Sequence, residues 1–405
     1  MSTLVKQSQS DVKDNNLSLI LNTIIQNEPL SRVDIVRITH ISKPTVSSLI
    51  DVLINKNLAL EIGEGKSTVG RKPRLLKFNS TLKYFLAIDM GREDFKIAVS
   101  DLKGTIIDKR YGEFVKAHDY NHRLTSLNST IRDLIKSLSV TPKMLLKMIF
   151  IAPGVYVEKD KGLNWFADNK MHANESIQEY FRNEFQTEVL INHSTKLSLW
   201  GEKTSGKARG YKNVIYIDFA YGLGCSYMID GKIYLGSNNS AGEIGYFYSS
   251  IDEFNNYKIT PYEFGALENR ISGRALQRKG IEATKKYGHT KILELANRRA
   301  NNITGKIIFE AAIQGDPYAY SILRESFNYF NMALCNAINM LDPELVIFGG
   351  GFSKAEDFLV NLIVNEIKNK LLITPVLTIS ELKNNASIIG AIAYLIEHTD
   401  FFTEI

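Results

Sequence analysis

The sequence predicts an α/β protein with an N-terminal winged helix-turn-helix followed by a two-lobed α/β domain. Three observations predict this fold class. Residues 31–57 have the pattern of a helix-turn-helix, and residues 58–78 that of a basic β-hairpin. The segments 84–107 and 213–234 repeat one strand–glycine–strand theme. With 405 residues, of which 44% are apolar, the chain is long enough for about three domains.

The first helix of the predicted pair begins after Ser31. This residue has the short oxygen-bearing side chain that is preferred at a helix N-cap. Asp34 stands where a capping box places an acid, although Glu or Gln is the commoner choice there. We expect the apolar face of this helix to be formed by Val33, Ile35, Val36 and Ile38.

The second helix follows a turn at 39–42 and has the pattern of a DNA-recognition helix. Ser42 is its expected N-cap, and a proline in the first turn costs little because its missing N–H has no partner there. One stripe at the helical period is apolar: Val46, Leu49, Ile50 and Leu53. The other side is small and polar, which suits a helix in the major groove. Its predicted DNA contacts are Lys43, Pro44, Thr45, Ser47 and Ser48.

The hairpin that follows is basic. Between Lys66 and Lys77 there are five cations and no acid, and we predict that Arg71, Lys72 and Arg74 contact DNA. Residues 1–80 contain eleven Lys and Arg against seven Asp and Glu, so they account for four of the five net positive charges of the chain. Positive charge concentrated in one terminal module favours a polyanionic partner, here double-stranded DNA.

From about residue 83 the pattern becomes α/β. Asp89 and Asp218 each end an apolar strand and precede a glycine turn, a second strand and a tight turn, which indicates an internal duplication. We therefore expect a DNA-binding domain at 1–78, a first lobe at 79–195 and a second lobe at 196–385, with the helix 386–397 packing back on the first lobe.

Bulk properties are typical of a cytoplasmic protein. No run approaches the ~20 apolar residues of a membrane span, and residues 1–16 read as a polar tail before the first helix. Two cysteines, Cys225 and Cys335, are too few for a disulfide framework, and we expect both to be buried.

With these segments in view, the chain resembles the ROK family (repressors, open reading frames, kinases), which has the actin-like sugar-kinase fold. The resemblance rests on four pieces in order: residues 31–65, residues 67–79, AGEIGY at 241–246, and residues 316–353 with the triple glycine 349–351. It is specific to the branch that represses sugar operons, including those for xylose and N-acetylglucosamine. It implies a sugar site in the cleft between the lobes.

The resemblance also implies where kinase chemistry would lie, and the chain departs from the family there. The family's first phosphate-binding turn is Asp-x-Gly-Gly-Thr-Lys, whereas this chain reads DMGRED at 89–94. Like charges at this turn oppose ATP. The family's catalytic Asn-Asp pair falls on His193 and Ser194, or on Asn192 and His193 if shifted by one residue. Neither register supplies the carboxylate that would take a proton from a sugar hydroxyl.

A structural zinc site is likewise expected to be missing. Tyr246 stands where the family has a zinc-ligating His, and Ala266 where it has a Cys. Carboxylates that match the family's sugar-binding positions remain at Glu243 and Glu268, and Asn169 lies near its asparagine. Turn capping is the alternative for Glu243, and helix N-terminal charge for Glu268. The predicted sugar-binding residues are Asn169, His193, Ser194, Glu243, Tyr246 and Glu268.

These observations predict a sugar-responsive repressor of a carbohydrate operon, without catalytic residues, cofactor or metal. Its expected partners are an inverted-repeat DNA operator, a small-molecule sugar effector and a second copy of the chain, as a homodimer or dimer of dimers. Two alternatives stay open. One is a sugar kinase fused to a DNA-binding domain, and the other is a DNA-binding regulator whose sugar site is degenerate.

Overall fold

A computed structural model describes residues 9–64, 72–91, 94–114, 120–152, 177–259 and 264–402. Two predicted site residues, Arg71 and Asn169, lie outside these ranges. Within them, no helix is long and apolar enough to cross a membrane.

The N-terminal part has the predicted order of two helices followed by a β-hairpin. It comprises α1 (Gln9–Asn27), β1 (Leu30–Ser31), α2 (Arg32–Thr39), α3 (Lys43–Asn55), β2 (Ala59–Glu64) and β3 (Arg74–Phe78). The three strands form an antiparallel sheet in the order β1-β3-β2. Ser31 and Asp34 form a reciprocal capping box at α2, and Ser42 caps α3. The predicted stripe of α3 is buried throughout: Val46, Leu49, Ile50 and Leu53.

Two predictions about this part are wrong. Val33 and Ile38 are 62% and 44% exposed, and Ile35 is the fully buried residue of α2. Val33 lies roughly 200° around the helix from Ile35, because each residue turns the helix by about 100°. Ile38 lies in the last turn, just before the chain reverses at a left-handed His40. In addition, α1 begins at Gln9, so part of the predicted polar tail is helical.

The first large sheet has five strands in the order β6-β5-β4-β7-β8. Its elements are β4 (Tyr84–Met90), β5 (Asp94–Asp101), β6 (Ile106–Glu113), α4 (Tyr120–Ser137), β7 (Leu145–Ala152), α5 (Ile177–Phe185) and β8 (Glu188–His193). The pairs β4–β5 and β5–β6 are antiparallel, whereas β4–β7 and β7–β8 are parallel. Helix α6 (Ser194–Ser205) follows β8 directly.

The second large sheet repeats this topology, in the order β11-β10-β9-β12-β13. Its strands are β9 (Val214–Phe219), β10 (Leu223–Ile229), β11 (Lys232–Ile233), β12 (Leu345–Gly350) and β13 (Val376–Ile379). Here too the hairpin pairs are antiparallel and the crossover pairs are parallel. The duplication inferred from Asp89 and Asp218 is therefore a duplication of whole five-stranded sheets.

Most of the helices after β11 contribute side chains to the same buried cluster as β9 of the second sheet. The helices between β11 and β13 are α7 (Ile251–Asn256), α8 (Glu268–Ile271), α9 (Gly273–Tyr287), α10 (Lys291–Leu295), α11 (Gly305–Ile313), α12 (Pro317–Leu341) and α13 (Glu356–Ile367). The long α12 is capped by Asp316 and buries Phe327 and Phe330 against Phe219 of β9. Cys225 and Cys335 are both buried free thiols, as expected.

The last helix, α14 (Ala386–Glu397), returns to the first sheet. Its apolar residues Ala391 and Leu395 belong to the same buried cluster as Phe85 of β4 and Ile149 of β7. On its other side it packs along α6. The glycines at 349–351 close another tight contact, because a Cβ at Gly349 would clash with the hydroxyl of Tyr216.

Candidate functional site

Five polar side chains from separate elements come together near the end of β8. We call His193, Lys196, Glu243, Tyr246 and Glu268 the polar cluster. His193 ends β8, and Lys196 lies in the first turn of α6. Glu243 immediately precedes a short 3-10 helix, Ile244–Tyr246, and Tyr246 is its last residue. Glu268 begins α8. The charges of Glu268 and Glu243 raise the pKa of Tyr246, and the charge of Glu243 raises that of Glu268, so the three groups lie near one another.

His193 is held as a neutral imidazole. Its Nδ1 lies 2.8 Å from the hydroxyl of Thr195, and burial, together with the nearby charge of Lys196, lowers its pKa to about 3. Its Nε2 is buried without a hydrogen-bond partner and lies 3.9 Å from Oε1 of Glu243. A ring nitrogen and a carboxylate oxygen at this spacing can each accept a hydrogen bond from a ligand that approaches both.

The half-buried carboxylate of Glu243 and the buried ammonium of Lys196 attract each other. Burial raises the pKa of Glu243 to about 7, and the attraction of Lys196 opposes that rise. Burial also lowers the pKa of Lys196, against the attraction of Glu243. The ammonium group of Lys196 donates a hydrogen bond to the backbone carbonyl of Asn239, so it ties α6 to the loop that precedes Glu243.

Glu268 holds the glycine turn after β9. Its carboxylate accepts hydrogen bonds from the N–H of Leu223 at 2.8 Å and from the N–H of Gly265 at 3.3 Å. Burial nevertheless raises its pKa to about 7, and the charge of Glu243 adds to the rise. The backbone of this turn, which resembles a phosphate-binding turn, therefore already bonds a carboxylate at Leu223.

The corresponding turn after β4 also carries a carboxylate. The N–H of Gly91 bonds the carbonyl of Asp94, and the Asp94 side chain lies where a Cβ of Gly91 would project. A carboxylate against this turn repels phosphate oxygens, in line with the expectation from the sequence.

The strand-end acid Asp89 of the first sheet acts on its counterpart Asp218 in the second sheet. Burial raises the pKa of both, and the charge of Asp89 contributes to a pKa of about 6 at Asp218. Lys96 partly offsets the repulsion. Asp89 also accepts a hydrogen bond of 2.7 Å from the hydroxyl of Ser387, which links β4 to the start of α14.

The remaining predicted sugar-site residues are placed as follows. Ser194 is the first residue of α6 and is half-buried, and Tyr246 is half-buried with a pKa raised to about 12, chiefly by burial. Asn169 lies outside the described residues. These assignments to a sugar site remain predictions.

The loop after Tyr246 is held by a polar network. Glu253 accepts hydrogen bonds from the N–H and hydroxyl of Ser249, and its other oxygen lies 2.6 Å from Nε of Arg270. The hydroxyl of Tyr257 donates to the carbonyl of Phe264. In the part of the chain that the structure describes, no three His, Cys, Asp or Glu side chains are grouped so that they could hold a metal ion.

The predicted recognition surface is presented on α3. Lys43, Pro44 and Ser48 are exposed, whereas Thr45 and Ser47 are half-buried. The hydroxyl of Thr45 lies 2.8 Å from that of Ser42, at the N-terminal cap. The structure therefore brings these five residues to the start of one helix, whose opposite face is core.

An ion-pair network joins α3 to the wing, which is the hairpin of β2 and β3. Arg32 of α2 contacts Asp51 of α3 at 2.9 Å and Glu61 of β2 at 2.8 Å. Glu61 also pairs with Arg74 of β3, and hydrogen bonds from the two arginines lower its pKa. Lys72 lies 3.9 Å from Glu64. Two of the three cations predicted to contact DNA from the wing are thus partly neutralised.

The fold and the site define a class: a winged helix-turn-helix joined to a duplicated α/β body with a buried polar cluster. The ROK family model matches residues 85–398, and this chain belongs to the ROK family. The chain is 28% identical to the xylose repressor of Caldicellulosiruptor bescii over 397 residues, which is 97% of this chain and 98% of that repressor.

Solved structures share the fold. A crystal structure of a ROK family transcriptional regulator, a homologue of the E. coli MLC protein, matches with a TM-score of 0.70 and 22% identity over 95% of this chain and 96% of that one. A ROK family glucokinase from Streptomyces griseus, in complex with glucose and AMPPNP, matches with a TM-score of 0.64 and 22% identity. That match covers 78% of this chain and all of the glucokinase.

Sequence reasoning missed two residues of these sites. Lys196 is a buried cation in the polar cluster, and its only sequence signal is a lone Lys in the otherwise apolar and small stretch TKLSLWG. Arg32 joins the wing to the recognition helix, but its partners lie 19 and 29 residues away. Neither spacing follows a helical or strand period.

Proposed function

We propose that this chain is a sugar-responsive transcriptional repressor that binds an operator through its winged helix-turn-helix and a sugar through its polar cluster. The observation that carries the proposal is the combination of the two parts in one ROK chain. The match to the xylose repressor covers 97% of the chain, including the winged helix-turn-helix at 1–78, which we call the head. The match to the glucokinase covers 78% of the chain.

On the DNA side, Lys43, Pro44, Thr45, Ser47 and Ser48 enter the major groove. The small side chains let the helix approach base edges, and Lys43 neutralises a phosphate. Arg71, Lys72 and Arg74 of the wing contact the backbone or the adjacent minor groove. Two copies of the chain bind the two halves of an inverted repeat.

On the sugar side, the polar cluster supplies acceptors for sugar hydroxyls. Glu243 and the unpartnered Nε2 of His193 bind two hydroxyls, and Glu268, Tyr246 and Ser194 complete the site with Asn169. We take D-xylose as the probe ligand because xylose repressors are among the relatives of this chain.

We further propose that the chain has no kinase activity. The residue at the end of β8 is a neutral imidazole instead of a carboxylate, and both glycine turns already carry a carboxylate. A pKa of about 3 makes His193 a weak base at neutral pH, because proton transfer is most effective when the pKa lies near the operating pH. ATP consumption with D-xylose or D-glucose should therefore stay at background.

Regulation follows if the sugar favours one arrangement of the two lobes. A ligand that binds both arrangements equally does not shift the equilibrium between them. D-xylose must therefore bind more tightly to the arrangement in which the two heads have the lower affinity for the operator. The measured consequence is an operator affinity that falls when D-xylose is present.

The test uses an operator duplex selected from a random library with the full-length protein. Fluorescence anisotropy then gives the operator Kd with and without D-xylose, for the wild type and for Glu243→Gln. We expect D-xylose to raise the wild-type Kd, and Glu243→Gln to bind the operator normally but not to respond. A response that survives in Glu243→Gln would favour a degenerate sugar site. ATP turnover would favour the kinase.

A control separates loss of the sugar site from a general effect of removing a carboxylate. Glu366→Gln removes an exposed carboxylate of α13 that pairs with Lys370, three residues beyond the end of this helix. This variant should keep both the wild-type operator affinity and the wild-type response to D-xylose.

A further inference from the structure

The core of the DNA-binding head is continuous with the core of the first lobe. Phe78 at the end of β3 is buried in a cluster that includes Leu53 of α3 on one side and Phe85 and Leu395 on the other. Its ring lies 6.0 Å from the ring of Phe402, and Phe402 contacts Phe401. The segment after α14 therefore packs on the wing strand that ends the head.

The contact of Phe78 with Phe402 is the first contact between the head and the body. A second contact, at the turn 101–105, also touches α14. The head meets the turn at 101–105 through an ion pair of 2.8 Å between Lys103 and Glu28. Ser80, two residues after β3, accepts a hydrogen bond of 3.0 Å from the N–H of Leu102 in the same turn. Gly104, in the middle of this turn, lies directly against Ile396 of α14. A movement of α14 would thus change both contacts of the head, the one at Phe78 and the one at the turn 101–105.

Helices α14 and α6 are locked together by backbone contact. A Cβ at Gly390 would clash with the carbonyl of Leu197, and one at Gly201 would clash with the carbonyl of Ala386. Further along, the indole N–H of Trp200 donates to Glu397 at 3.1 Å. With no side chain between the backbones, one helix cannot slide past the other without a clash, so the pair moves as a unit.

The other end of α6 lies in the polar cluster. His193 immediately precedes the helix, and Lys196 is in its first turn. The hydroxyl of Ser226, on β10 of the second sheet, donates to the carbonyl of Thr195 at 2.9 Å. The first turn of α6 is consequently attached to the second lobe at the point where the proposed sugar binds.

We propose that Phe402 is a positioning residue for the DNA-binding head, and that the α6–α14 pair transmits the occupancy of the polar cluster to the head through it. The proposal rests on the proposed function of sugar-dependent operator binding. When D-xylose shifts the first turn of α6 relative to the second sheet, α14 follows, and its C-terminal end moves Phe402 against Phe78. The element that switches between two arrangements is the packing of the head on the C-terminal end of α14.

The test compares the wild type with Phe402→Ala, in which the contact to Phe78 is removed. For each protein the operator Kd is measured with and without saturating D-xylose, and the ratio of the two is the coupling. We expect a wild-type ratio of about tenfold or more and a Phe402→Ala ratio below about twofold. The affinity for D-xylose itself, measured by calorimetry, should be unchanged.

Two further variants separate positioning from folding. Phe402→Leu keeps an apolar side chain against Phe78 and should restore most of the coupling. Phe254→Ala removes an exposed ring of α7, remote in sequence from both helices, and should leave the ratio at the wild-type value. A Phe402→Ala protein that binds the operator and keeps the wild-type ratio would overturn the proposal.

Hydrogen exchange decides the case in which Phe402→Ala no longer binds DNA. D-xylose should then change the exchange of backbone amides at 74–78 in the wild type, as well as at 386–397. A change that is confined to 386–397 would overturn the proposal. If the wild type and Phe254→Ala both give a ratio of one, the sugar-responsive function itself fails, and that result differs from a loss of coupling in Phe402→Ala alone.

Discussion

The half-buried carboxylate of Glu243 leads to a quantitative prediction about stability. Its pKa is about 7, against 4.5 for an ordinary Glu, because burial penalises its charged form. At about 1.4 kcal/mol per pH unit, this difference corresponds to roughly 3 kcal/mol. The value already includes the attraction of Lys196. We therefore expect the ionised Glu243 to destabilise the protein without ligand.

The sign of the pH dependence follows from proton binding. Because the pKa of Glu243 is raised in the folded state, the folded protein holds this proton more tightly than the unfolded chain does. The contribution to stability is fully present below about pH 4.5 and is lost as the pH rises to about 7. Glu268 has a raised pKa for the same reason and acts in the same window.

The perturbation that isolates this effect is Glu243→Gln, which cannot ionise. At pH 8.5 the variant should have a free energy of unfolding roughly 3 kcal/mol above that of the wild type, and at pH 5.0 the gain should shrink to roughly 1 kcal/mol or less. Urea denaturation followed by circular dichroism at both pH values measures the difference. The same variant should have lost its response to D-xylose, so that stability is gained where function is lost.

The control for this measurement is Glu366→Gln, which changes an exposed carboxylate. Its effect on the free energy of unfolding should be small and similar at the two pH values. The reasoning is refuted if Glu243→Gln changes stability equally at pH 5.0 and pH 8.5, or if it destabilises the protein at pH 8.5.

Three other substitutions test the packing of the head and the body. Arg32→Ala removes the ion pairs that join the wing to α3, which are worth about 1 kcal/mol. The operator Kd in anisotropy titrations should therefore rise about fivefold. An unchanged Kd would contradict a positioning role for Arg32. Ile50→Ala leaves a cavity in the core of the head and should cost about 3 kcal/mol in urea denaturation, against little change if the site collapses. Gly390→Ala places a methyl group against the carbonyl of Leu197 and should also cost about 3 kcal/mol. Its control is Gly351→Ala, where the nearest atom is 3.7 Å away, and equal losses in the two variants would contradict the backbone contact.

The local elements were predictable because their signals are local. The capping box of Ser31 and Asp34 and the apolar stripe of α3 lie within a few residues of one another, so they can be read at the helical period. Val33 was misassigned because a two-turn helix with apolar residues on several sides does not reveal which side meets the core.

The sequence by itself determined the head, the duplicated strand pattern and the absence of a carboxylate in either register at His193. These features depend on residue type and on short spacings. Only the tertiary structure decided that Lys196 faces Glu243 and that Phe402 packs on Phe78, because these pairs are far apart in the chain. The tertiary structure also determines the protonation states of the side chains in the polar cluster. Burial, which no local pattern encodes, makes His193 neutral and raises the pKa of Glu243.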